Sequence, residues 1–178
     1  MNIRTQMTIA KSVLEKLETF DPTCILAGGA PRDWHFDKLA TDLDFYVYFR
    51  PDFDSQRWRY ENMLQNLGLD AHLKGRAEFP ENYKRNPYLL CVYECVYNGQ
   101  IIQIMFMKEK TFSCVVDMFP FGICQAWWKG KDIHVSKYFD ESVNHKILRV
   151  LNDLYSDEDG YIQKIRDKFP DYLFVGRQ

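Results

Sequence analysis

Two β-rich runs separated by Asn98-Gly99 constrain the fold more than any other part of the sequence. Residues 88–97 and 100–107 are rich in β-branched and aromatic side chains. The dipeptide between them accepts the positive φ angles that a two-residue turn requires, so the pattern predicts a β-hairpin. A hairpin of this length is stable only as part of a larger sheet or against a packed layer, and we therefore expect a sheet-containing fold.

The composition supports a folded domain of ordinary size. The chain has 178 residues, of which 46% are hydrophobic and 27% are charged, and this balance excludes a disordered or collagen-like chain. We expect one domain over 1–178, with a core over about 5–135 and a helical extension over about 140–170. The net charge of −2 excludes a positive field over the whole molecule, so any contact with nucleic acid must be local.

The sequence shows neither a membrane segment nor an export signal. No run approaches 18 uninterrupted apolar residues, and the first 20 residues are amphipathic. The five cysteines are odd in number, lack CxxC spacing and lie mostly in apolar runs, which is typical of reduced core thiols. We therefore expect a protein of the cytoplasm.

Helical and extended segments alternate around the hairpin. The predicted helices cover 5–19, 31–39, a segment from residue 54 or 55 to Gly68, 111–118, 144–155 and 160–169. The further predicted strands cover 23–27, 42–49 and 131–135. A surface loop is expected over 76–87. This order predicts an α+β fold, in which helices flank a mixed β-sheet and two helices follow at the carboxyl end.

Two aspartates at the start of strand 42–49 form the first candidate site. Side chains alternate along a strand, so Asp42 and Asp44 project from one face while Leu43 and Phe45 point into the core. Adjacent carboxylates repel each other, and a divalent cation removes that repulsion because it prefers hard oxygen ligands. The alternative interpretation is a pair of solvated aspartates at the start of a strand.

A glycine pair between a strand and a helix forms the second candidate site. Gly28 and Gly29 follow the strand 23–27 and precede the helix that Pro31 begins. Bare backbone amides at such a turn can approach phosphate oxygens, and Arg32 adds a fixed positive charge one turn later. A phosphate cradle beside a two-carboxylate platform is the arrangement that nucleotidyl transfer with two metal ions requires. The alternative is a plain turn between a strand and a helix.

The motifs LAGGAPRDW at 26–34 and TDLDFY at 41–46 carry a resemblance to a known family. Together they resemble the signature of the DNA polymerase β-like nucleotidyltransferase superfamily. The similarity is closest to the head of poly(A) polymerases and CCA-adding tRNA nucleotidyltransferases, and to small stand-alone relatives in bacteriophages. The match covers about residues 24–48 and implies the nucleotidyltransferase fold, a mixed sheet flanked by helices.

The resemblance also implies an activity and its residues. It implies a metal-dependent enzyme that moves a nucleoside monophosphate from a nucleoside triphosphate such as ATP to a hydroxyl acceptor and releases pyrophosphate. Asp42 and Asp44 would bind Mg²⁺ or Mn²⁺. The residues implied to hold the nucleotide phosphates or to shape the pocket are Gly28, Gly29, Arg32 and Asp33. RNA, a protein and a small molecule stay open as acceptors.

The third carboxylate of the family pattern is missing from its expected strand. Gln103 stands where an acid is expected, and an amide brings no negative charge to a metal site. If Tyr97 pairs with Gln100 across the hairpin turn, Glu94 lies opposite Gln103 on the same face. Glu94 is therefore the candidate third metal ligand and third catalytic carboxylate. Asp117 is a weaker alternative, and a strand glutamate on an open sheet face is the other interpretation.

Basic residues near the carboxyl end are further nucleotide-binding candidates. His145, Lys146 and Arg149 fall at helical spacing. They resemble the basic start of the helix that follows the catalytic sheet in related transferases, where Lys146 and Arg149 would contact a triphosphate or an RNA backbone. A solvated helix face is the alternative.

Three functions are consistent with these motifs. The first is the metal-dependent nucleotidyltransferase. The second is a weakened or inactive member of the fold that binds a nucleotide or a partner without turnover, which Gln103 would permit. The third is an interaction scaffold with a vestigial site.

Overall fold

The computed structural model describes residues 1–48, 56–76, 87–108, 115–152 and 160–176. The helices in these residues are α1 (Ile3–Leu17), α2 (Gly29–His35), α3 (Gln56–Asn66), α4 (Lys137–His145) and α5 (Tyr161–Lys168). The strands are β1 (Ile25–Ala27), β2 (Asp42–Val47), β3 (His72–Arg76), β4 (Leu89–Tyr97), β5 (Gln100–Met107), β6 (Ala126–Trp128), β7 (Ile133–Val135), β8 (Ile147–Arg149) and β9 (Leu173–Val175). No helix of the described residues is long and apolar enough to cross a membrane.

Seven of these strands form one mixed sheet in the order β3-β4-β5-β2-β1-β6-β7. Strands β2 and β5 pair in parallel, and the other neighbours in the sheet are antiparallel. Strands β8 and β9 form a separate parallel pair. The sheet with its flanking helices confirms the predicted fold class, and it places β2 near the middle.

The alternation of side chains along β2 separates the core from the candidate site. Leu43, Phe45 and Val47 are fully buried in the largest hydrophobic cluster, to which α1 and α3 contribute their apolar residues. Burial of each such side chain stabilises the fold by roughly 1.5–3 kcal/mol. Because neighbouring residues of a strand face opposite sides, this packing also directs Asp42 and Asp44 to the other face of the sheet.

A buried glutamine joins α1 to the start of β2. The Gln6 amide nitrogen donates to the Ala40 carbonyl and to Gln100 Oε1, both at 2.7 Å. Gln6 Oε1 accepts from Trp34 Nε1 and from the Ala40 backbone N–H, both at 3.0 Å. Gln100 also donates to the Thr41 carbonyl at 2.9 Å. These bonds hold the backbone in place immediately before the aspartates.

The hairpin prediction is confirmed, register included. Tyr97 pairs with Gln100 and Glu94 pairs with Gln103 across β4 and β5. Both turn residues have positive φ, 50° at Asn98 and 77° at Gly99. The predicted helices 5–19, 31–39 and 160–169 and the predicted strands 23–27, 42–49 and 131–135 are present with bounds shifted by a few residues.

The predicted helix over 144–155 is wrong. Helix α4 ends at His145, because Lys146 adopts a left-handed φ of 51°, and the chain continues as β8. This strand pairs with β9, more than 20 residues later. Strands β3, β6, β8 and β9 were not predicted from the sequence.

Other predicted segments fall partly outside the described residues. Residues 115–118 form turns rather than the end of a helix over 111–118, and 109–114 lie outside the described residues. The proposed caps at 54 and 55 and most of the loop over 76–87 also lie outside them. Residue Arg76 ends a strand instead of beginning a loop.

We expect Gln6→Leu to destabilise the fold by about 2–4 kcal/mol. Leucine fills a similar volume but leaves several buried donors and acceptors without partners, and each such group costs roughly 1–3 kcal/mol. The measurement is urea unfolding, with Thr8→Ala on the exposed face of the same helix as the control. A Gln6→Leu free energy of unfolding within 0.5 kcal/mol of the control, on the order of surface-substitution effects, would contradict this role.

Candidate active site

Three adjacent strands bring polar side chains to one face of the sheet. In the parallel pairing of β2 with β5, Asp44 lies beside Gln103. In the antiparallel pairing of β5 with β4, Gln103 lies beside Glu94. Asp42 shares the face of Asp44 because it lies two residues earlier on β2. The structure therefore brings both aspartates, the amide and the glutamate into one row.

Asp44 is the acid of this row whose environment is described most fully by the structure. Its Oδ1 atom is buried and has no hydrogen-bond partner in the part of the chain that the structure describes. Burial, together with the charge of Asp42, raises the pKa of Asp44 from 3.8 to about 7. The positive charges of Lys74, Lys164 and Arg32 act in the opposite direction. A buried carboxylate oxygen without a donor is available to a cation.

The Gln103 side chain joins the two sides of the row. Its Nε2 atom donates to Asp42 Oδ2 at 3.3 Å and to Glu94 Oε2 at 3.0 Å. Both neighbours are carboxylate acceptors, so the donor end of the amide must face them. The same Glu94 oxygen forms an ion pair with Lys74 on strand β3. The amide therefore lies between the acids, at the position where a third acid was expected.

The donor set fits a cation on two carboxylates rather than three. Among residues 1–48, 56–76, 87–108, 115–152 and 160–176, no three His, Cys, Asp or Glu side chains are grouped closely enough to hold a metal ion. Glu94 lies opposite Gln103 as expected, but Lys74 and Gln103 contact its Oε2. The structure thus does not join Glu94 to the aspartates as a ligand. Asp42 and Asp44 are hard oxygen donors of the kind that Mg²⁺ and Mn²⁺ prefer.

The glycine turn is built differently at its two positions. Gly28 has φ 86°, a conformation that favours glycine, and a Cβ there would lie 3.1 Å from Phe119 Cζ. Its N–H donates to the Ala126 carbonyl at 2.8 Å, so this amide is engaged within the fold. A Cβ on Gly29 would meet only Arg32 Nη2, at an ordinary 3.8 Å. Backbone conformation and packing therefore require a glycine at position 28, whereas packing does not require one at position 29.

Arg32 and Asp33 form a buried ion pair. The Arg32 guanidinium donates to Asp33 Oδ1 at 2.8 Å and its Nη1 lies 3.4 Å from Cys124 Sγ. Lys168 of α5 donates to Asp33 Oδ2 at 2.6 Å. The Arg32 guanidinium also lies 5.9 Å from the centre of the Phe169 ring. These contacts attach α5 to α2, so both residues predicted to shape the pocket also have a structural role.

The carboxyl-terminal candidates have local roles in the structure. Lys146 ends α4 in a left-handed conformation. Arg149 lies on β8 and its Nη2 pairs with Glu141 Oε1 at 2.6 Å. Asp117 is exposed in a turn. Contacts of Lys146 and Arg149 with a nucleotide stay a prediction.

Two lysines that sequence reasoning missed act on the aspartates. Lys74 reaches the row from β3, and Lys164 is on α5, four residues before the lysine that binds Asp33. Both lower the pKa of Asp44. The i, i+4 spacing of Lys164 and Lys168 was visible in the sequence, but no local pattern indicated what α5 packs against.

A separate cavity of about 700 Å³ lies at the carboxyl end. Its lining includes Arg166, Phe169, Tyr172 and Phe174. None of the predicted site residues lines it. It is therefore distinct from the acidic row.

We expect Asp44→Asn to stabilise the metal-free protein at high pH. Asp44 has a folded pKa of about 7 against 3.8 unfolded, so the ionised carboxylate opposes folding above about pH 7. That penalty disappears as the pH falls from about 7 towards 4. The substitution should add about 1–3 kcal/mol to the free energy of unfolding at pH 8 and much less at pH 5.

The measurement is urea unfolding with a chelator present at both pH values. Asp132→Asn, at an exposed position, is the matched control. A gain from Asp44→Asn that is the same at pH 5 and pH 8 would show that Asp44 is not the buried acid described here.

Similar folds are found among solved structures. A CCA-adding enzyme in complex with ATP has a TM-score of 0.62 and 14% identity over 96% of this chain and 39% of its own. The Thermotoga maritima CCA-adding enzyme complexed with tRNA has a TM-score of 0.59 and 14% identity, covering 98% and 42%. The Bacillus stearothermophilus CCA-adding enzyme in complex with CTP has a TM-score of 0.59 and 11% identity, covering 94% and 40%.

These similarities are structural and partial. No protein-family model matches the sequence, and no curated protein matches it. The chain spans about two fifths of the length of the CCA-adding enzymes to which it is similar. Because the identities are low, the comparison establishes the fold and not the activity. The chain has the nucleotidyltransferase fold that it shares with part of these tRNA-processing enzymes.

Proposed function

We propose that this chain transfers a nucleoside monophosphate from a nucleoside triphosphate to a hydroxyl acceptor. The observation that carries the proposal is the buried, unpartnered Oδ1 of Asp44 beside Asp42, on a sheet with the fold of CCA-adding enzymes. An orphaned buried carboxylate oxygen costs stability and is retained where a ligand needs it. The ligand is Mg²⁺ or Mn²⁺.

The proposed reaction exchanges one phosphorus–oxygen bond for another. The acceptor oxygen bonds to the α-phosphorus, the bond from that phosphorus to its bridging oxygen breaks, and pyrophosphate leaves with the bond's electron pair. The hydroxyl proton passes to solvent. When bound, the cation lowers the pKa of the acceptor hydroxyl and offsets charge on the triphosphate.

The residues of the chain position this chemistry. Asp42 is held by the Gln103 amide, and Asp44 is held by the central position of β2 in the sheet. Gly29 leaves room for phosphate oxygens at the backbone, since packing does not require a glycine there. Lys164 adds positive charge from α5. The protein's contribution is mainly placement and charge.

The comparisons support a choice of donor and acceptor classes to test. Neighbouring enzymes are described in complex with ATP, CTP and tRNA. We therefore propose a nucleoside triphosphate as donor and the hydroxyl of an RNA end as the first acceptor to test. A protein or a small-molecule hydroxyl is the alternative, since this chain spans only part of those enzymes.

A second candidate function is nucleotide binding without transfer. The amide of Gln103 favours it, because among the described residues no third carboxylate is grouped with Asp42 and Asp44 to hold a metal ion. Triphosphates would then raise the melting temperature in the presence of Mg²⁺. No triphosphate would be converted to pyrophosphate with any acceptor.

We expect Asp42→Asn to reduce pyrophosphate release by roughly two orders of magnitude or more. The substitution removes one of the two carboxylates that hold the cation, and several kcal/mol of charge stabilisation depend on that cation. The assay follows pyrophosphate from each of the four common triphosphates with Mg²⁺ and short RNA acceptors. Asp132→Asn, on the surface, should retain full activity. Equal activity of both variants would overturn the proposal.

We expect Gly29→Ala to impair nucleotide binding without harming the fold. The methyl group has ordinary contacts and alanine is favoured over glycine in a helix, so stability should be unchanged or up to about 1 kcal/mol higher. The methyl group would obstruct phosphate at the backbone, raising KM for the triphosphate roughly tenfold, or about 1.4 kcal/mol.

Gly28→Ala is the matched comparison, because its strained φ and the contact with Phe119 should lower stability by about 1–3 kcal/mol. Steady-state kinetics and thermal melts of both variants provide the measurement. A Gly29→Ala variant with unchanged KM would show that the turn does not contact the phosphates.

A further inference from the structure

A line of polar contacts crosses four neighbouring strands of the sheet. Lys74 on β3 pairs with Glu94 on β4, and Glu94 accepts from Gln103 on β5 at 3.0 Å. Gln103 then donates to Asp42 on β2 at 3.3 Å. Because each side chain in this line is held by the next, the position of one side chain and its charge both influence its neighbours.

The charges along this line limit how many cations it can accept. Asp42, Asp44 and Glu94 carry three negative charges when ionised, and Lys74 carries one positive charge. The remaining two negative charges are neutralised by one divalent cation. Without a bound triphosphate, a second divalent cation would leave an excess of two positive charges in a partly buried site, where such an excess is costly.

The neighbouring charges do not change this balance in favour of a second cation. Arg32 and Asp33 compensate each other within a buried pair. Lys168 adds a positive charge at Asp33, and Lys164 acts on Asp44. The described residues around the row therefore add positive charge, which opposes a second cation, whereas the first cation has the buried, unpartnered Oδ1 of Asp44 as a ligand.

We infer that the site holds one divalent cation on Asp42 and Asp44, and that the ammonium group of Lys74, anchored by Glu94, takes the place of a second cation. The inference rests on the proposed function and specifies how that site is built. Gln103 is a positioning residue in this arrangement. Its amide fixes the Asp42 carboxylate and separates Glu94 from the aspartates.

Two further observations support this arrangement. The side chains of Lys74 and Glu94 are only 35% and 24% exposed, so their ion pair is partly shielded from water. The Glu94 oxygen that Lys74 contacts also accepts from Gln103, and Gln103 lies beside Asp44, so the ammonium group is close to the aspartates. Glu94 serves here as the anchor of a cation, in contrast to the metal ligand that the sequence predicted.

The experiment counts Mn²⁺ ions on the full chain without nucleotide, by electron paramagnetic resonance of free Mn²⁺ during a titration. We expect one ion per chain. Lys74→Met should tighten Mn²⁺ binding by about fivefold or more or admit a second ion, because an uncompensated carboxylate then attracts the cation. Lys74→Arg should retain one ion with an affinity within about twofold. Lys11→Met, on an exposed face of α1, is the matched control and should change nothing.

A double variant separates the two roles of Glu94. Lys74→Met with Glu94→Gln removes a neutral pair, so the Mn²⁺ affinity should return to within about threefold of the unaltered chain, which is less than 1 kcal/mol. If Glu94 is instead a metal ligand, the double variant should bind Mn²⁺ more than tenfold more weakly, and that result overturns the inference. Far-ultraviolet circular dichroism of each variant establishes that it is folded.

The outcomes distinguish this inference from the proposed function. Two ions per unaltered chain, together with pyrophosphate release that Asp42→Asn abolishes, would overturn the inference alone. An unaltered chain that binds no Mn²⁺ at millimolar concentration would overturn the proposed cation site and this inference with it. One ion that persists unchanged in Asp42→Asn would do the same, because the cation would then lie elsewhere.

Discussion

The parallel register between β2 and β5 is the constraint on which the site depends. It places Asp44 beside Gln103 while the alternate side chains of β2 are buried under α1 and α3. A slip by one residue would turn the aspartates into the core and Leu43 and Phe45 towards solvent. Such a slip would cost many kcal/mol, so the hydrophobic core and the placement of the two carboxylates are determined together.

Polar networks around the sheet also fix the position of the site. Gln6 attaches α1 to the chain just before β2, and the Arg32–Asp33–Lys168 network attaches α5 to α2. Both networks consist of buried polar groups, and each group destabilises the fold if one of its hydrogen-bond partners is missing. They therefore hold α1 against the start of β2 and α5 against α2, with Lys164 close enough to act on Asp44.

The predictable parts of this molecule are those encoded by neighbouring residues. The Asn98-Gly99 turn determined the pairing of Glu94 with Gln103, and alternation determined the common face of Asp42 and Asp44.

The unpredicted parts depend on long-range pairing. Lys74 reaches Glu94 through a strand whose register shifts at an irregularity, and β8 requires a partner strand more than 20 residues later. Arg32 was expected to contact phosphates, and in the structure it pairs with the adjacent Asp33. This contact depends on side-chain rotamers in a buried environment, which the sequence does not reveal.

The charges of the site explain how the fold can tolerate its own acids. Without a cation, the repulsion between Asp42 and Asp44 is relieved most readily by a proton, because burial and the charge of Asp42 together raise the pKa of Asp44 to about 7. Under the proposed function, a divalent cation and a proton therefore compete for the same carboxylate. The positive charge of Lys74 favours the ionised form of Asp44. Lys74 does not itself bind the Asp44 carboxylate, since its ion pair is with Glu94. Under the proposed function, a chain with an amide at the third position thus has a site with enough negative charge to bind a cation and enough nearby positive charge to fold without one.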